Sequence, residues 1–390
     1  MENKLIPDLR FPEFDDEWVE KKLSDLFTFK NGVNASKEDY GKGYKFINVL
    51  DIIQNDYITN DRIIGSVNIS ESEFNKNIVE YGDVLFQRSS ETREEVGQAN
   101  VYLDKELPAT FGGFVIRGKK KIEYDPSFMN ALLKTSRSRK EITSKSGGST
   151  RYNVGQDTLS EVVIYTTKTN EQTKIANFLT AIDKRIQILE KKKTELEQYK
   201  KGVIQKLFNR TIRFKKDDGS NFPDWTEKKL GEVCKKESSN LSANTLGDSF
   251  GEYKVYGATG YLQNVDFYNE KEPYISIVKD GAGVGRTLLC EEKTSVLGTL
   301  DVIRPKAENN IYFIFTILNR IHFVKYITGS TIPHIYFRDY SKEKVFMPCL
   351  IEQGKIANFI ISVDKSIEKV GTQIDDSNVF KKGLLQKMFV

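Results

Sequence analysis

The sequence predicts an α+β protein: two globular segments separated by two long helices that pair antiparallel as a coiled coil, with the whole forming an internal duplication of pseudo-two-fold symmetry. Three observations predict it. Glu171-Gln-Thr-Lys-Ile-Ala-Asn-Phe178 recurs as Glu352-Gln-Gly-Lys-Ile-Ala-Asn-Phe359, and the same offset of 181 residues carries Lys200-Lys201-Gly202 onto Lys381-Lys382-Gly383 and Phe208 onto Phe389. Arg10-Phe11, Trp18 and Glu20-Lys-Lys-Leu23 reappear as Arg213-Phe214, Trp225 and Glu227-Lys-Lys-Leu230. Apolar residues recur every seventh position through both repeated helices, the pattern of a coiled-coil seam.

These matches divide the chain into a first globular segment (1–167), a central helix (168–210), a second globular segment (211–349) and a C-terminal helix (350–390). In the central helix the seam is Ile175, Ile182, Leu189, Leu196 and Val203, with Phe178, Ile186, Tyr199 and Leu207 filling out the stripe. In the C-terminal helix it is Ile356, Val363, Val370, Ser377 and Leu384, with Phe359, Ile367, Ile374 and Phe380 alongside. Neither stretch contains proline, and at ~1.5 Å per residue such helices extend about 57 Å. One such stripe alone would suit a helix packed on its own domain; its duplication points to two rods that pair with each other. Strands are expected at Tyr44–Val49, Asp83–Gln87, Phe114–Arg117, Val162–Tyr165, Tyr274–Val278, Asp301–Arg304 and Val345–Met347, and helices at Pro126–Lys134 and Ile311–Tyr326.

Composition excludes several classes. With 38% apolar and 29% charged residues, 24 Phe and 18 Tyr, the 390-residue chain is expected to fold as two or three units. The apolar run Ile311–Leu318 is far short of the ~20 residues a membrane span needs, and Met1-Glu2-Asn3-Lys4 lacks a signal core, so a cytoplasmic location without membrane contact is expected. Cys234, Cys290 and Cys349 fall outside any zinc-binding spacing and read as buried or free thiols. Net charge is only +4, but residues 168–210 hold eleven Lys/Arg against five Asp/Glu, which makes the central helix the basic element.

No catalytic site and no metal site is expected. Asp280-Gly-Ala-Gly-Val-Gly285 lacks both the glycine spacing of a dinucleotide fingerprint and the Gly-Lys-Ser/Thr of a P-loop, and is read as a tight turn. Pro7-Asp8 with Glu20-Lys21-Lys22 mimics a nuclease set only loosely, and the second copy loses the spacing. His322 and His334 are the chain's two histidines, and no two prolines are adjacent, which rules out an Asn/Asp-Pro-Pro-Tyr/Phe aminomethyltransferase motif.

The lead-in Arg10-Phe-Pro-Glu-Phe-Asp-Asp-Glu-Trp18, the segments Tyr81-Gly-Asp-Val-Leu-Phe-Gln-Arg88 and Tyr274-Ile-Ser-Ile-Val-Lys-Asp-Gly-Ala-Gly-Val-Gly-Arg286, and the two Glu-Gln-x-Lys-Ile-Ala-Asn-Phe helices together resemble the specificity subunits of type I restriction-modification systems. The resemblance covers essentially the whole chain. It implies two target-recognition domains, each reading half of a bipartite, asymmetric double-stranded DNA site, and paired helices that set the spacer. It also implies that those helices dock two adenine-N6 methyltransferase subunits, and that motor-nuclease subunits complete the complex. S-adenosylmethionine, ATP and Mg are implied for those partners, and no cofactor for this chain. A scaffold with two protein-binding heads is the alternative that the modest net charge favours.

The resemblance hands over no base-contacting residues, so DNA-facing candidates rest on chemistry: Arg, Lys, Asn, Gln, Ser and Thr on loops read base edges, and cations take phosphates. Leu132–Arg151 holds Lys134, Arg137, Arg139, Lys140, Lys145 and Arg151 against the single acid Glu141, and ends in Gly147-Gly-Ser149-Thr150-Arg-Tyr152. Its counterpart is Thr328-Gly-Ser330-Thr331-Ile-Pro-His334, flanked by Lys325, Tyr336 and Arg338. Arg88, Ser89 and Arg93 in the first segment, and Lys279 and Arg286 in the second, are further candidates.

Overall fold

The computed structural model describes residues 5–306 and 309–390. Met1-Glu2-Asn3-Lys4, read above for a signal core, lie outside the described residues. The chain forms two compact units, one of residues 1–191 with 371–390, the other of residues 192–370.

The core of the first unit is a four-stranded antiparallel sheet in the order Phe27–Asn31, Val115–Lys120, Val84–Gln87, Ala99–Val101. Val84 to Gln87 are all buried, which explains why Val84-Leu85-Phe86 reads as an unbroken apolar run rather than an alternating one. A smaller sheet orders Ser66–Val67, Tyr40–Ile47, Thr110–Phe111. The helix Pro126–Leu133 starts as its sequence demands, with proline in its first turn and Asp125 accepting from the Ser127 and Phe128 N–H groups. A two-stranded clasp of Val19–Lys22 against Val163–Thr166 closes the head. The Glu20-Lys21-Lys22 run therefore belongs to a strand, with Lys22 paired to Glu161 at 2.6 Å.

The second unit repeats the main sheet, the smaller sheet and the clasp, while the first unit's two-stranded pair of Tyr152–Asn153 with Ser89–Ser90 is matched by the isolated bridge Asp280–His334. The main sheet of the second unit runs Cys234–Ser238, Leu300–Pro305, Tyr274–Val278, Thr287–Cys290; its smaller sheet runs Gly260–Val265, Tyr253–Gly257, Ser295–Val296; its clasp joins Thr226–Lys229 to Lys344–Met347. The expected helix Ile311–Tyr326 is shorter than its apolar run suggested. It ends at Leu318, where Asn319 turns its side-chain amide back onto the Phe315 carbonyl at 2.9 Å, and Phe323–Tyr326 forms a separate 3-10 turn. Asp280–Gly285 is the turn between the strands Tyr274–Val278 and Thr287–Cys290. Cys234 and Cys290 are buried thiols, that of Cys234 pushed up to about 12 by desolvation, and Cys349 is exposed and free.

The helices span Thr169–Phe208 and Leu350–Lys387. In the first unit Ile175, Ala176, Leu179, Ile182 and Ile186 share a core with Leu384, Met388 and Phe389, and Lys381 pairs with Asp183 at 2.5 Å. In the second, Leu207 joins Ile356 and Ile360, and Lys200 pairs with Asp364 at 2.5 Å. Early turns of one helix thus meet late turns of the other within each unit, and the two salt bridges are the same bridge repeated at the 181-residue offset.

Seam positions Val363, Val370 and Leu384 are buried, whereas Leu189, Leu196 and Val203 are partly buried. Phe178 and Phe380, placed in the stripe by the heptad reading, are 36% and 56% exposed. Phe178 instead lies edge-on to Phe11, and Phe359 packs against Phe214, both at 5.9 Å. Leu179 and Ile360 take the inner positions. The stripe of a helix with 3.6 residues per turn drifts from a strict seven-residue repeat, which selects the i+4 residue over the i+3.

Candidate nucleic-acid interface

Each head carries the same loop. In the first, Gly147 and Asn153 exchange backbone hydrogen bonds (3.0 and 2.8 Å) and so pinch a tip around Gly148-Ser149-Thr150-Arg151-Tyr152. In the second, Thr328 and His334 exchange theirs, both at 2.8 Å, around Gly329-Ser330-Thr331-Ile332-Pro333. Gly148 and Gly329 have φ of 113° and 86°, and a Cβ there would lie 2.1 Å from the Arg151 carbonyl oxygen or 2.5 Å from that of Ile332, so both turns require glycine.

Each tip is tied to the exit of a central strand. Ser89 Oγ donates to Asn153 Oδ1 at 2.5 Å, and the Val154 N–H donates to the Arg88 carbonyl at 3.0 Å. In the second head Asp280 Oδ1 meets His334 Nδ1, and the Ile335 N–H donates to the Lys279 carbonyl at 3.0 Å. A loop pinned at both its base and its flank is preorganised, so it spends little ordering entropy on a ligand.

The candidates split into those facing solvent and those turned inward. Ser149, Thr150, Arg151, Ser330, Thr331, Tyr336 and Arg338 are exposed, and Tyr152 and His334 are half-buried. Arg151 lines an open groove of about 350 Å³ with Gln87, Ser89, Ser90, Glu91, Glu95 and Phe114. His334, Tyr336 and Arg338 line another of about 470 Å³ with Lys236, Lys279 and Asp301. The His334 ring packs on Tyr336 at 4.1 Å, and the Arg338 guanidinium lies 4.7 Å from the Tyr336 ring centre.

Other candidates spend their charge on the fold. Arg139 donates to the carbonyls of Glu94, Val96 and Gly97, and burial lowers its pKa to about 10. Arg93 caps the C-terminus of helix Ser136–Ser144 through the Thr143 and Ser144 carbonyls. Arg137 stacks on Tyr165 at 4.0 Å, Lys145 pairs with Glu141 at 3.3 Å, and Lys134 donates to the Asp56 carbonyl. Arg88 and Arg286 bond the Gly113 and Ala258 carbonyls at 3.3 and 2.9 Å, and Lys279 pairs with Asp301 at 3.3 Å. The inward turn follows from the fold: helix ends and loops leave carbonyls uncapped, and long cations that the tertiary structure brings beside them satisfy them.

Sequence reasoning missed Lys236, Phe114 and Ile332. Lys236 lies on a strand far from the candidate segment in sequence. Phe114 opens an expected strand and Ile332 lies inside the candidate segment 328–334, but both are apolar, and only the structure shows them 66% and 65% exposed. Among the described residues no cluster of His, Cys, Asp and Glu could hold a metal ion, and no helix is long and apolar enough to cross a membrane.

A family model described as "Type I restriction modification DNA specificity domain" matches residues 15–198 and 223–375. The chain is 23% identical to a putative type I restriction enzyme MjaX specificity subunit of Methanocaldococcus jannaschii, over 91% of this chain and 89% of that one. It is 27% identical to the MjaVIII specificity subunit of the same organism, over 48% of this chain and 47% of the relative. Among solved structures, a type I restriction-modification S subunit from M. genitalium superposes with a TM-score of 0.63 at 18% identity, covering 99% of both chains. A chain from a structural study of type I restriction-modification complex assembly and conformational transition gives a TM-score of 0.58 at 15% identity, covering 95% of this chain and 97% of that one.

Proposed function

The chain belongs to the type I restriction modification DNA specificity family, and from that premise we propose that its two heads each read one half of a bipartite, asymmetric double-stranded DNA site through the tips at residues 147–153 and 328–334. The observation that carries this reading is the duplication of a preorganised, exposed, Ser/Thr-bearing loop on two heads of the same plan. Hydroxyls and backbone amides on such a loop, joined in the first head by the exposed Arg151, suit phosphates and base edges.

In this reading the chain supplies recognition without chemistry. Methylation comes from two adenine-N6 methyltransferase subunits that bring S-adenosylmethionine, and cleavage from ATP- and Mg-using motor-nuclease subunits, all in the cytoplasm. The helices that join the heads set the spacer. They also offer the partners a surface: Tyr199 and Phe380, equivalent at the 181-residue offset, are 52% and 56% exposed.

Duplex binding by the chain with its methyltransferase partner is expected to weaken with salt, by about 0.9 log unit per log unit of salt for each phosphate contact. Gel-shift competition at rising salt checks this. A target duplex should survive excess random competitor, whereas a protein-binding scaffold would retain no duplex selectively.

A further inference from the structure

The two tips are equivalent in backbone and unlike in what they present. Gly148-Ser149-Thr150 and Gly329-Ser330-Thr331 are identical, and the residues that follow are Arg151 and Ile332. What two reading heads share serves what all duplexes share, the phosphate backbone; what differs between them is free to discriminate between bases.

The Arg151 guanidinium is exposed at the edge of its groove, and among the described residues no side chain pairs with it. That separates it from Arg93, Arg137 and Arg139, all spent on carbonyls or a ring. Ile332 occupies the same place on the other tip and is 65% exposed, an apolar side chain held in solvent by a turn that needs glycine beside it.

Building on the DNA-reading function above, we infer that Arg151 and Ile332 are the paired specificity determinants of the two heads: Arg151 reads the O6/N7 edge of a guanine, and Ile332 packs on the 5-methyl group of a thymine. Arginine to guanine is the commonest specific major-groove contact, and an apolar side chain against the thymine methyl is the one base-edge contact that needs no hydrogen bond. The two half-sites therefore differ in kind at the positions these residues touch, G·C in one and A·T in the other. Both side chains project from exposed tips, so their replacement leaves the cores intact.

The test uses the full chain with its methyltransferase partner. The target is first read from adenine methylation for the wild type, Arg151→Ala and Ile332→Ala. Each variant is expected to relax one position of one half-site, leaving the other half-site and the spacer unchanged. Duplexes with 7-deazaguanine or deoxyuridine at the relaxed position are then compared with the natural ones. Wild type should lose about tenfold for the missing N7 and about fourfold for the missing methyl, and the matching alanine variant should show neither loss. Retention of the wild-type motif by both variants, at unchanged melting temperature, overturns the inference and leaves the DNA-reading function standing. A wild type that directs no methylation removes that function, and the inference with it.

Discussion

Glu352→Ala is expected to destabilise the second unit by about 3 kcal/mol, toward the lower end of the cost of breaking a buried ion pair. The Glu352 carboxylate has no solvent exposure, accepts from Arg213 Nε and Nη2 at 3.1 and 2.8 Å, and accepts from the Trp225 indole N–H at 3.2 Å. Removing it leaves the indole donor without its acceptor and the guanidinium without its buried counter-charge, although Arg213 Nη2 keeps the Pro223 carbonyl at 2.7 Å. The cost stays at the low end because the Arg213 side chain is 24% exposed and lies 3.4 Å from Asp224, which takes over part of its charge. Urea unfolding followed by tryptophan emission checks it. The chain has two tryptophans, one per unit, so a Trp18→Phe background reports the second unit alone. An unchanged midpoint would mean that the pair is not structural.

Phe389→Ala is expected to cost the first unit about 3–5 kcal/mol, the range for deleting a buried aromatic ring. Phe389 is 6% exposed, stacks on Phe128 at 5.4 Å and meets Trp18 edge-on at 5.9 Å. The C-terminal helix thereby completes the core of the first head. Phe208, its equivalent, stacks on Phe313 at 5.3 Å and meets Trp225 at 5.9 Å, but it is only partly buried, so Phe208→Ala is expected to cost less. Emission from Trp18 in a Trp225→Phe background measures the first effect. A shift below about 1 kcal/mol would show that the surrounding side chains collapse into the space.

These two clusters show what the sequence made legible and what it did not. The repeat, the long helices and most central strands follow from offset and periodicity, because both are one-dimensional signals. Glu171-Gln172 and Glu352-Gln353 marked the repeat without disclosing their task. The glutamates hold Arg10 and Arg213, while Gln172 and Gln353 accept from the Asp125 and Asn310 N–H groups at 2.9 and 2.8 Å, fixing the start of the following helix. No local pattern reveals a partner more than forty residues away. For the same reason the basic segment at residues 132–151 read as one DNA-facing surface, although Arg139 faces the core and Arg151 faces solvent. Charge is visible in sequence, and its direction is set by tertiary carbonyls. The equivalence of the two tips was visible as Gly-Ser-Thr, but Ile332 within the second tip carried no assigned role, because an exposed apolar residue is informative only once its exposure is known.

In the proposed function this chain confers a DNA target on the complex. The most direct measurement is the adenine methylome of a cell without adenine methylation of its own, expressing the methyltransferase partner with and without this chain. A two-part motif with an unread spacer that appears only in the presence of this chain is the expected result. No motif, despite stable association of the two proteins, would contradict it and favour a scaffold whose heads bind protein.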